Sequence, residues 1–282
     1  MSSQSPSGPL SRLFRAARAY PRRAPLTFAY VCLLLSGHAW LGYGLSDERA
    51  VALLDFLSTN PDNLRDHPVA ALLGSALFFD GTLTDVASPD FIGTLITLGL
   101  GVGGFLAWAE CRWGTLRAAA AFLGGHIAAT LLTAVVIIVA LRQDWYPTAV
   151  RQASDYGVSY GAQTVLALGI LAMPRRYGLP WAVFVLAWPI GGLEWMGPLP
   201  DFTTIGHIVA ALIGFGIVIV SRLVRSRSQE AGPSSAPHSV VPDSDGPGSD
   251  RGPDLASPAA ETDSPSPPAA PTVQQAGSPR HS

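Results

Sequence analysis

Six apolar runs, almost free of charged side chains, constrain this chain more than any other feature. They cover residues 26–45, 91–109, 116–141, 157–173, 179–196 and 205–220. A helix that crosses the hydrocarbon core of a bilayer needs about 20 apolar residues, within a range of roughly 17–25. The six runs lie in or close to that range. Charges gather between them, and only 13% of all residues are charged, against about 25% in a typical soluble domain. In lipid, an α-helix satisfies its backbone polar groups within its own segment. The expected fold is therefore an all-α membrane protein, a bundle of six transmembrane helices joined by a long first loop.

Arginine placement gives the expected orientation, because short loops on the cytoplasmic side carry an excess of basic residues. All 18 basic residues are arginine. Arg12, Arg15, Arg18, Arg22 and Arg23 precede the first run, Arg112 and Arg117 follow the second, Arg175 and Arg176 the fourth, and Arg222, Arg225 and Arg227 the sixth. With six spans, all four clusters fall on one side. Both termini are then cytoplasmic in a multi-pass plasma-membrane protein, and the acid-rich first loop (46–90) is outside. Asp47 and Glu48 follow the first run where a signal peptide would carry a small-residue cleavage site, so that run reads as an uncleaved helix.

Three regions result: an arginine-rich N-terminal segment (1–25), the six-helix domain (26–224) and a tail (225–282). The tail is rich in Pro, Ser, Gly and Asp, cannot bury a core and is expected to be disordered. In the first loop, 50–57 reads as a short amphipathic helix and 68–79 as an interfacial or re-entrant segment too short to span. The net charge of −2 gives no basic field for nucleic acid. Cys32 and Cys111 form no disulfide or metal pattern, and no ligand cluster suggests a metal or other cofactor.

Polar side chains inside a membrane are costly and mark function by default. The runs hold His38, His126, Ser159, Gln163, Glu194 and His207. Ser159 and His207 stand out as a pair. Each lies just inside the start of a span that begins on the outer side, so both sit at a similar shallow depth. Ala210 and Gly214 share a helix face with His207, while Gly157 and Gly161 bracket Ser159. Small residues on facing helices let the backbones approach closely. A histidine within reach of a serine hydroxyl can take its proton and later protonate a leaving amine. His126 and His38 read as structural hydrogen-bonding residues, Asp155 as an N-cap for the fourth span, and Glu110 with Arg112 as a local charge pair.

At these residues the chain resembles the rhomboid family, over about residues 26–220. Glu110-Cys111-Arg112-Trp113-Gly114-Thr115-Leu116-Arg117 resembles its E-x-R-x-G-x-x-R/K signature. Gly157-Val158-Ser159-Tyr160-Gly161 resembles its G-x-S-G nucleophile motif. Gly206-His207 through Gly214 resembles its histidine motif in the sixth helix. The resemblance implies an intramembrane serine protease acting on transmembrane proteins, with Ser159 as nucleophile, His207 as general base and the Ser159 N–H among the oxyanion donors. It also implies where this chain departs. Tyr160 stands where a glycine usually follows the serine. The second span has Thr94 and Thr97 but no histidine–asparagine pair for the oxyanion. Gln163 replaces a tyrosine that stacks on the histidine from one turn below the serine. The alternative reading is a non-catalytic rhomboid-like protein that binds transmembrane clients.

Overall fold

The structure, a computed structural model, describes residues 8–230, all within the unit formed by residues 1–232. The regular secondary structure of the described residues is helical, apart from one isolated antiparallel bridge between Trp195 and Pro200. Helix α1 (Pro9–Arg23) leads into α2 (Pro25–Gly44). The first loop follows, with α3 (Asp47–Leu57), α4 (Pro61–Asp66), a π-helical turn (Ala70–Gly74) and a 3₁₀ turn (Ser75–Leu77). Next come α5 (Pro89–Thr94), a π-helical stretch (Leu95–Leu106) and α6 (Ala107–Trp113), which run on as one rod. Helices α7 (Thr115–Arg142), α8 (Ser159–Leu168), α9 (Arg175–Ala187) and α10 (Phe202–Glu230) complete the order.

Four helices are long and apolar enough to cross a bilayer: Pro25–Gly44, Pro89–Trp113, Thr115–Arg142 and Phe202–Val224. They coincide with predicted spans one, two, three and six. The predicted fourth and fifth spans form shorter helices. Helix α8 continues through a 3₁₀ turn to Leu171, and α9 through another, Trp188–Gly192. The tail boundary also moves, because α10 runs six residues past position 224, to Glu230. Residues 231–282 of the predicted tail lie outside the described residues.

Helix α8 is short and enclosed by its neighbours. Ten residues rise about 15 Å, half of a hydrocarbon core of about 30 Å. Each residue from Tyr160 to Leu168 is buried, with α7, α10 and the Leu95–Leu106 stretch packed around it. The first loop sits above its N-terminal end: the Gly157 N–H donates to Ser75 O (3.1 Å) and the Val158 N–H to Phe78 O (3.0 Å). Those two bonds satisfy the Gly157 and Val158 N–H groups, which no helix would otherwise pair. Small side chains allow the close approach. A Cβ added to Gly125 of α7 would meet the Thr164 side chain at 2.4 Å, and one added to Gly214 of α10 would meet Thr164 O at the same distance. Lipid-facing flanks carry exposed Leu132, Val135, Leu212 and Ile219, as expected where the solvent is hydrocarbon.

The Glu110 signature has a different role from the one read in the sequence. Glu110 is buried, and its carboxylate accepts from Leu26 N–H (2.9 Å), Thr27 N–H (2.9 Å), Thr27 Oγ1 (2.8 Å) and Thr115 Oγ1 (2.9 Å). It thus caps the orphan N–H groups at the start of α2, where the helix dipole favours negative charge. Arg112 and Arg117 are exposed, and among the described residues Glu110 forms no ion pair with Arg112. Gly114 separates α6 from α7 at φ +86°, a conformation that glycine adopts without a Cβ penalty.

Candidate functional site

Ser159 is the first residue of α8 and is half-buried. Gly157, two residues earlier, turns the chain at φ +134°. Asp155 does not cap α8 as predicted: the N-cap is Val158, with no side-chain bond. Asp155 instead holds the first loop. Its backbone oxygen accepts from Thr59 N–H (2.6 Å) and Thr59 Oγ1 (2.9 Å), its carboxylate from Thr59 Oγ1 (2.9 Å), and its own N–H donates to Ser58 Oγ (2.7 Å). The Asp155 carbonyl is the acceptor that a continuous helix would offer to Ser159. With that carbonyl committed to Thr59, the Ser159 N–H has no acceptor among the described residues. Burial pushes the Asp155 carboxyl up to about 6, opposed by its bonds from Thr59 and Tyr160.

His207 lies in the second turn of α10. Asp201 caps that helix: its carboxylate accepts from Thr204 N–H (2.8 Å), from Thr203 Oγ1 and from Glu194 N–H (3.3 Å). Burial works against ionisation of Asp201, but these bonds outweigh it and hold the carboxyl below the ordinary carboxylate range. One turn on, His207 Nδ1 is 2.7 Å from Thr203 O. A carbonyl only accepts, so Nδ1 carries the hydrogen, and in the neutral ring Nε2 keeps its lone pair.

Tyr160 links the two helices. Its buried ring meets the His207 ring edge-on, with centroids 5.0 Å apart, and lies 6.3 Å from the His126 ring. Its hydroxyl donates towards the Asp155 carboxylate, 3.3 Å from each oxygen. Gly206 makes room, since a Cβ there would fall 2.4 Å from the tyrosine hydroxyl oxygen. The histidine therefore has an aromatic neighbour, supplied by the residue after the serine rather than from one turn below it. Sequence reading missed this contact, although Gly206 directly before His207 was a signal of a bulky neighbour.

The remaining candidates divide by role. Gln163, at the position of the missing tyrosine, is buried and donates from Nε2 to Val185 O (2.6 Å). That carbonyl would otherwise face Pro189, four residues on, which has no N–H to give. Gly161 lies against Phe122, whose ring a Cβ would meet at 2.7 Å, and the Ala210 carbonyl accepts from Thr164 Oγ1 (3.2 Å). All three hold α8 in its slot. In the second span, Thr94 Oγ1 donates back to Asp90 O (2.8 Å), while Thr97 is half-buried with no hydrogen bond among the described residues. His126 has the structural bond expected of it, 3.2 Å from Nε2 to Ser75 Oγ, whereas His38 stacks on Phe79 with centroids 4.5 Å apart. Glu194 is exposed. Among the described residues, Ser159 Oγ makes no hydrogen bond to His207 or any other group, and no group of three or more His, Cys, Asp or Glu is placed to hold a metal ion.

Two comparisons are silent: no curated protein and no solved structure matches this chain. A third is informative. The family model described as rhomboid-like protein matches residues 19–230, which include Glu110 and the paired helices α8 and α10. It is an integral membrane protein of all-helical fold, and the chain belongs to the rhomboid-like protein family.

Proposed function

We propose that this protein is an intramembrane serine protease working through Ser159 and His207. The observation that carries the reading is the 2.7 Å approach of His207 Nδ1 to the Thr203 carbonyl, from which the tautomer follows. With Nδ1–H committed to Thr203 O, the lone pair for accepting a proton is on Nε2, in a helix packed directly against the one that Ser159 opens. In the reaction, Ser159 Oγ attacks the scissile carbonyl as Nε2 takes its proton. The free Ser159 N–H is a donor for the oxyanion. His207 then protonates the departing amine, the C–N bond breaks and an acyl-serine ester remains. Water, deprotonated by the same histidine, hydrolyses that ester. Substrates on this reading are transmembrane segments of other proteins, entering at the shallow level of Ser159. α8 and α9 complete a six-span topology with both termini on the arginine-rich, cytoplasmic side.

A specific observation favours a second reading. Ser159 Oγ has no bond to His207, and the residue seated against the imidazole is Tyr160. A rhomboid-like protein that binds transmembrane clients without cleaving them would need no such bond. Catalytic bonds are often long before substrate binds, so the protease reading keeps precedence. Labelling of the purified protein with a fluorophosphonate or isocoumarin probe separates the two. The protease gives a signal that falls to background in both Ser159→Ala and His207→Ala. A folded protein that never labels, beside an active rhomboid that does, leaves the client-binding reading.

A further inference from the structure

At the opposite end of the bundle from Ser159, a cleft of about 290 Å³ opens between the start of α7, the end of α8 and the end of α10. Its position follows from helix geometry: Arg222 lies fifteen residues along α10 from His207, about 22 Å at 1.5 Å per residue. Two arginines from different helices, Arg117 and Arg222, line its mouth together with Ser221 and Trp113. Both arginines are exposed, and among the described residues neither guanidinium has a hydrogen bond or ion pair. The floor is apolar. Ala121 lies one turn deeper than Arg117 on α7, Ile217 one turn deeper than Ser221 on α10, and Leu171 closes the end of the 3₁₀ turn after α8.

We infer that this cleft binds one anionic phospholipid, with the phosphate between Arg117 and Arg222 and an acyl chain over Ala121, Ile217 and Leu171. The cleft runs from cationic to apolar in the direction that a lipid runs from headgroup to chain. It opens at the level where the spans end and phosphates lie. Guanidinium groups present paired donors that match phosphate oxygens, and basic pockets between transmembrane helices select anionic headgroups. Trp113, with its indole at the same level, suits a headgroup boundary. A soluble phosphate would use the arginines but not the floor. The site does not depend on the proteolytic reading.

The test is lipid retention by the full chain in nanodiscs of phosphatidylcholine containing a minor share of phosphatidylglycerol, followed by release into detergent and native mass spectrometry. One phosphatidylglycerol should stay bound to the wild type in preference to phosphatidylcholine. An Arg117→Gln/Arg222→Gln double variant should bind it about thirtyfold more weakly, with circular dichroism unchanged. Ala121→Phe, which fills the floor and leaves both arginines, should also lose it. The inference is overturned if the double variant retains phosphatidylglycerol as the wild type does, or if the two lipids are retained equally. It is likewise overturned if inorganic phosphate displaces the lipid, which would mark a site for the free anion.

Discussion

Tyr160 and Gly206 show how one residue pair sets the geometry around the candidate base. The tyrosine ring rests on His207 while its hydroxyl reaches the Asp155 carboxylate, and only a glycine at 206 leaves the space. Gly206→Ala would force a Cβ against a buried ring with little freedom to move. We expect a loss of about 1–3 kcal/mol, the usual cost of overpacking a well-filled interior, read as a lower melting temperature in detergent. If the variant melts with the wild type, Tyr160 is not fixed where it is described. The same contact bears on chemistry. Tyr160→Phe keeps the ring against His207, so probe labelling should persist. Tyr160→Ala removes it, and the labelling rate should fall roughly tenfold to a hundredfold, because loss of orientation is expensive at a reacting centre. Equal rates in both variants would make the ring irrelevant to catalysis.

Between elements, hydrogen bonds from the first loop fix the turn that opens α8. Ser58 and Thr59 hold Asp155, while Ser75 and Phe78 take the N–H groups of Gly157 and Val158. Asp155 also makes this junction sensitive to pH. Its carboxyl is raised from the ordinary 3.8 to about 6, so the folded protein keeps a proton that the unfolded chain has already lost. The contribution of Asp155 to stability is full below pH 3.8. It declines as pH rises through that window, and levels off above about 6. Thermal melting in detergent across this range should show a downward component as pH rises. Asp155→Asn, which cannot ionise, should remove that component, and an unchanged profile in the variant would assign it to another group.

For the whole molecule, the proposed six-span topology requires α8 and α9 to cross the bilayer with the four longer helices. If they do, the turn around Arg175 and Arg176 lies on the same side as both termini. If they do not, it lies on the opposite side. A single cysteine at Ala172, in a protein with Cys32 and Cys111 replaced by serine, decides this. In sealed, oriented vesicles, a membrane-impermeant maleimide should modify position 172 from the side on which it modifies a cysteine placed at Ser226. Modification from the other side would rule out the six-span topology and with it the shared outer level of Ser159 and His207.

The sequence alone determined the membrane fold, because long uncharged runs leave lipid as the only solvent that suits them, and four of the six runs form helices of spanning length. It also placed the glycines that let α8 sit among its neighbours, since small residues at fixed helical intervals mark close packing. Partner choice was another matter. Whether Glu110 pairs with Arg112 or caps α2, and whether Asp155 caps α8 or anchors the first loop, depends on which distant backbone groups arrive unsatisfied. So does the diversion of Gln163 to a carbonyl left open by Pro189. Those donors and acceptors are brought together from positions about 20 to 100 residues apart. Only the tertiary structure decides which of them meet, because a buried polar group takes whatever partner the packing brings within about 3 Å.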